Sequence, residues 1–132
     1  MQAFRSAIER RDVDGLMALL SKDVIFRSPA VHTSYHGREQ VRPLLRAVSQ
    51  LHEDFRYTRE IGASARDHAL VFRGRVGDRE VEGCDFIHLD DQGLIDELYV
   101  MVRPLSGLMA LAEAMNGKLA IDMRAPLREQ TP

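Results

Sequence analysis

The hydrophobic repeat of this chain changes near Glu53, and the change restricts the fold more than any other feature of the sequence. Before that point apolar residues recur at helical spacing; after it they alternate with polar ones. Phe4, Ala7, Ile8, Leu16, Leu19 and Leu20 predict two short helices meeting near Asp12, whose side chain is placed to cap the second. Val24 to Ser28 predicts a strand that Pro29 stops, and a loop runs on to Gly37. From Arg38 to Leu51, the residues Val41, Leu44, Leu45, Val48 and Leu51 fall in one stripe of a third helix. Pro43 lies in its early turns, where a missing N–H is least costly.

Beyond Glu53, the runs Phe55–Ile61, Ala69–Val76, Glu80–Leu89 and Leu94–Val102 predict four strands. Gly77-Asp78-Arg79 and Asp90-Asp91-Gln92-Gly93 supply the turns of two successive hairpins, so the last three strands form an antiparallel meander. Ser106 is placed to cap a closing helix that carries Leu108, Met109, Leu111, Ala112 and Met115 as far as Asn116-Gly117. Helices followed by an antiparallel sheet predict an α+β fold in which the helices cover one face of a curved sheet.

At 132 residues, 45% of them hydrophobic and 29% charged, the chain is sized for one domain with its own core and apolar residues to spare for a cavity. The expected domain covers residues 1–120, and the polar, proline-containing stretch 121–132 is expected to be a mobile tail. Eighteen basic against 20 acidic side chains leave a formal charge of −2, so nothing here attracts a phosphate backbone, and no nucleic acid partner is expected. The single cysteine, Cys84, forms no internal disulfide, and no run approaches a signal peptide or membrane span. A soluble cytoplasmic protein, away from the membrane and without a metal or organic cofactor, is the expectation.

Strand parity assigns the faces. Leu98, Val100 and Val102 share one face of the last strand and are expected inside, with Glu97, Tyr99, Met101 and Arg103 outside. On the strand before it, Gly83, Asp85, Ile87 and Leu89 share the inward face, opposite Glu82, Cys84, Phe86 and His88. An aspartate on an apolar interior face must pair, face a cavity or take up a proton. The alternative is a different parity, with Asp85 hydrogen-bonded at a wet strand edge. Phe86, Tyr99 and Met101 put apolar groups on the outer face, where a second copy of the chain would cover them; scattered surface residues are the other explanation.

The helix pair around Asp12, the segment Lys22-Asp23-Val24-Ile25-Phe26-Arg27-Ser28-Pro29, the helix start His36-Gly37-Arg38-Glu39 and the run Gly83-Cys84-Asp85-Phe86-Ile87-His88-Leu89-Asp90-Asp91-Gln92-Gly93 together resemble the nuclear transport factor 2-like superfamily. Within it they are most similar to the SnoaL-like polyketide-cyclase and ketosteroid-isomerase branches, over about Phe4 to Arg103. The resemblance implies a cone-shaped α+β barrel, a strongly curved and mainly antiparallel sheet that with the N-terminal helices encloses a pocket for an apolar small molecule. It also implies a homodimer.

In the isomerase branch, a worked case of catalytic pKa tuning, a carboxylate base acts beside an oxyanion hole of a tyrosine and a protonated aspartic acid. Asp85 matches that aspartic acid. The tyrosine position corresponds to Phe4 and the base position to Ser28, neither of which supplies the chemistry. An epoxide-hydrolase branch would place an arginine where Gly83 stands.

His32 and His36 have the four-residue spacing of a helical metal site, but their segment does not read as helix and no metal is assigned. His32, in the loop after Ser28, is a candidate second acid or base at the pocket mouth, or else a solvent-facing loop residue. His52, His68 and His88 receive no role. The expected pocket is lined by Phe26, Ser28, Tyr35, Leu44, Phe72, Ile87, Leu98, Val100 and Val102 around Asp85. Three functions remain open: acid–base chemistry of the isomerase or cyclase type on an apolar carbonyl compound through Asp85, non-catalytic binding of an apolar metabolite, or a protein–protein adaptor using the exposed sheet face.

Overall fold

A computed structural model describes residues 1–123. It contains four helices, α1 (Gln2–Glu9), α2 (Val13–Met17), α3 (Arg38–Ser49) and α4 (Leu105–Met123), and six strands. The strands are β1 (Leu20–Arg27), β2 (Tyr35–His36), β3 (Glu53–Ile61), β4 (Asp67–Val76), β5 (Arg79–Leu89) and β6 (Ile95–Arg103). They form one open sheet in the order β2-β1-β6-β5-β4-β3, antiparallel except where β1 runs parallel to β6. The α+β expectation holds, and the sheet is the curved, helix-covered layer of a cone.

Local chemistry explains most element ends. Asp12 accepts a hydrogen bond from the Gly15 N–H at 3.0 Å and so caps α2. The β4–β5 hairpin closes on Gly77 at φ 62°, a backbone conformation open to glycine without steric cost. Strand β2 was expected as loop; its two residues pair with Ile25 and Phe26, a contact that no local pattern announces. The closing helix runs past Asn116-Gly117 to Met123, as its apolar run continues through Leu119, which is buried in the core. The proposed tail therefore begins within α4, and its remainder, 124–132, lies outside the described residues.

The main core cluster lies between the concave sheet face and the helices, and a smaller one joins Val76, Val81 and Leu111. Phe4, Leu20, Val24, Val41, Leu70, Ile87 and Ile95 are sealed from solvent. Ile95 breaks simple alternation with Leu98: a register irregularity between His88 and Leu89 turns it inward. His68, expected in a turn, is buried in β4 opposite Ile87.

Glycine sets how closely α4 approaches the sheet. A Cβ on Gly107 would stand 2.6 Å from the Glu80 carbonyl oxygen and 2.8 Å from Val81 Cγ1. Gly107→Ala is accordingly expected to push α4 off β5 and lower stability by roughly 1–3 kcal/mol, read as an earlier urea midpoint. An unchanged midpoint would show that α4 is not held at that distance.

Candidate functional site

Between the concave sheet face, α1, α3 and α4 lies a cavity of about 500 Å³. Phe26, Tyr35, Leu44 and Phe72 line it, as do Leu98, Val100 and Val102 from alternate positions of β6. Ser28 reaches its rim, where its hydroxyl oxygen accepts from the Ala30 N–H at 3.1 Å. From α4 come Leu111, Ala112, Met115 and Leu119. The closing helix therefore forms a wall of the cavity.

Two expected members lie elsewhere. Ile87 is 2% exposed and packed in the core two residues beyond Asp85, where helix packing leaves no space. His32 is exposed and lines an adjoining groove with Arg27, Tyr99 and Met101, which shares the Pro29–Val31 loop, Val100 and Val102 with the cavity. The loop brings Pro29, Ala30 and Val31 to both spaces and His32 to the groove alone.

Asp85 is buried on the cavity wall in the centre of the sheet, between Leu70 of β4 and Val100 of β6. The Tyr57 hydroxyl donates to its Oδ2 at 2.8 Å. Tyr57 belongs to β3, which does not neighbour β5; its ring reaches across β4, which only the concave curvature of the sheet permits. Burial raises the Asp85 carboxyl to about 7, against the Tyr57 hydrogen bond, which favours the ionised form. Burial and the neighbouring carboxylate likewise hold the Tyr57 phenol well above its ordinary range, so it remains a donor.

Tyr57 was missed by sequence reasoning, although its alternation with Phe55 along β3 marks both as sharing a face. Phe4 is sealed against the Tyr57 ring at 6.4 Å, so the α1 position is apolar and the hydroxyl at Asp85 comes from β3. His52, given no role from sequence, is also buried and lines the cavity. Burial, then the Arg11 guanidinium, pushes its imidazole down to about 4. At Gly83, a Cβ would come within 2.4 Å of both the Met101 carbonyl oxygen and the Phe72 ring, so an arginine has no room there. Among the described residues no three His, Cys, Asp or Glu side chains gather as a metal site.

Residues 1–98 match the model of the SnoaL-like domain family. The chain belongs to that family. The SnoaL-like domain is similar to a steroid delta-isomerase from Pseudomonas aeruginosa, at 44% identity over 92% of this chain and 90% of that one, with a TM-score of 0.87. It is also similar to an uncharacterized protein with a cystatin-like fold from Silicibacter pomeroyi, at 34% identity over 93% and 86% of the chains, TM-score 0.89. An NTF2-like protein from Mesorhizobium loti, 17% identical over 79% and 88% with a TM-score of 0.69, shares the fold. No curated protein matches the chain.

The raised Asp85 pKa has a consequence for folding. A carboxyl that holds its proton more tightly when folded adds stability below the unfolded value near 4, and that stability is lost as pH rises through about 7. Asp85→Asn should match the wild type near pH 4 and exceed it at pH 8 by roughly 2–4 kcal/mol, measured by urea midpoints. A difference independent of pH would place the Asp85 carboxyl in water.

Proposed function

We propose that this SnoaL-like domain is an isomerase- or cyclase-type enzyme that moves protons beside the carbonyl group of an apolar compound, with Asp85 as its acid–base group. The observation that carries it is the Tyr57–Asp85 hydrogen bond of 2.8 Å inside an apolar cavity. Protonated Asp85 donates to a carbonyl or enolate oxygen; ionised Asp85 takes the proton from the adjacent carbon. A carboxyl titrating near neutrality populates both forms at working pH, the condition under which acid–base catalysis is most efficient. The 44% identical steroid delta-isomerase supports a cyclic, polyketide- or steroid-like carbonyl compound as the substrate class. His32, outside the cavity, is not included in this chemistry.

A non-catalytic binding protein for an apolar metabolite is the second reading, favoured by Phe4 and Ser28, which put neither a hydroxyl donor nor a carboxylate base where the isomerase resemblance calls for them. A steroid whose isolated double bond lies one carbon from conjugation with its ketone separates the two by the growth of enone absorbance. Turnover is expected, reduced by about 10²-fold or more in Asp85→Asn. In Tyr57→Phe the rate should fall less, and the apparent pKa should move up, because the lost hydrogen bond favoured the ionised carboxyl. Saturable binding without turnover would establish the binding protein instead, and full turnover by Asp85→Asn would remove Asp85 from the chemistry.

Association of two copies through the outer sheet face is supported by Phe86, Tyr99 and Met101, exposed to 40%, 39% and 50% on neighbouring strands. Sedimentation velocity at micromolar concentration should show a dimer, and Met101→Glu a monomer. A monomeric wild type would refute the interface. The free thiol of Cys84 supports the reducing cytoplasm as the compartment.

A further inference from the structure

His52 precedes β3 and stands edge-on to two cavity rings, 5.2 Å from Phe55 and 6.1 Å from Phe72. Its main-chain carbonyl accepts from Arg11 at 2.9 Å, which fixes the backbone beneath the ring. The side chain itself has no hydrogen-bond partner among the described residues. Nδ1 is sealed from solvent on the side of Gly74, 3.4 Å from the point a Cβ there would occupy. His52 lines the cavity, and of its two ring nitrogens only Nδ1 is sealed without a partner, so Nε2 is the nitrogen that an occupant can reach.

A neutral imidazole carries one N–H and one lone pair. A sealed N–H without an acceptor is rarer in proteins than a sealed acceptor without a donor, so the sealed Nδ1 is the lone pair and the proton is on Nε2. The Arg11 guanidinium, close enough to act on the imidazole, gives the same corner a positive potential that suits an oxygen acceptor. Asp85 stands at a different position on the wall: its partner Tyr57 and His52 touch Phe55 separately, with ring centroids 5.1 Å and 5.2 Å away.

We infer that His52 offers Nε2–H to a second oxygen of the ligand, so that the compound held here is an apolar skeleton with two acceptor oxygens, one at Asp85 and one at His52. The assignment rests on the carbonyl at Asp85 proposed above and adds a specificity-determining residue at the other position.

Calorimetric titration of the full chain with matched ketones tests it. The pairs are androstanone with androstanedione and decalone with decalindione, which differ within each pair only in a second ketone and between pairs in the separation of the oxygens. His52→Phe should weaken the diketone by about five- to tenfold in at least one pair, the size of one neutral hydrogen bond, and leave the monoketone within about twofold. His52→Gln, which keeps an N–H donor, should recover part of the loss. Long-range proton–nitrogen spectra of the labelled wild type should show the Nε2–H form.

An Nδ1–H tautomer, or a diketone-to-monoketone ratio unchanged by His52→Phe in both pairs, overturns the assignment. Monoketone affinity unchanged in Asp85→Leu, which removes the donor, would overturn the Asp85 reading instead, with the His52 contrast still readable from the ratio. Failure of all four ketones to bind the wild type would overturn both.

Discussion

The concave face of the sheet is apolar nearly from edge to edge and must be covered, yet straight helices cannot follow a strongly curved surface. α1 and α3 close on the core through Phe4, Val41, Leu44 and Leu45, and α4 is drawn close to β5 at Gly107. What the helices leave unfilled is the cavity. Its shape follows from that mismatch, and Phe72, Leu98, Val100 and Val102 line it because they share the face that the helices were required to bury.

Into this apolar space the fold places a buried carboxyl and a buried imidazole, and desolvation drives them in opposite directions. The carboxyl of Asp85 rises to about 7 and the imidazole of His52 falls to about 4, each because low polarity penalises the charged form. From roughly pH 5 to 6 both are mainly neutral, so the buried part of the wall presents uncharged hydrogen-bonding groups, while Glu9, Arg11 and Asp54 line the cavity from exposed positions. That character suits an uncharged ligand and agrees with the small overall charge of −2. The charged pairs stand on the outer faces instead, such as Arg27 with Glu97 and Arg103 with Glu82, where solvent screening leaves them little energetic weight.

Strand parity was sufficient to read Asp85, Leu98, Val100 and Val102 as one inward set, since antiparallel pairing with a fixed turn leaves a single register for the meander. Tyr57 was within reach of the same reasoning, being alternate with Phe55, but nothing local says that its hydroxyl crosses β4 to a carboxyl 28 residues later. His52 lies at a helix–strand junction where no period applies, and its burial depends on Phe55, Phe72 and Gly74 closing around it. The placement of His32 in the adjoining groove was not legible for the related reason that a loop's direction is decided by the surface on which it packs. The short β2 and the full length of α4 were likewise invisible locally, because pairing and docking with distant strands stabilise them.

By itself the sequence determined the order of helices and strands, the α+β class, the inward face of the meander and the presence of one carboxyl on it. These follow from periods of 3.6 and 2 and from turn chemistry, which are properties of neighbouring residues. Only the tertiary structure decided that Tyr57 holds that carboxyl, that His52 shares its cavity and that α4 completes the wall. Each of those depends on the curvature of the sheet, which arises from all six strands together and brings side chains on non-adjacent strands within reach of one another.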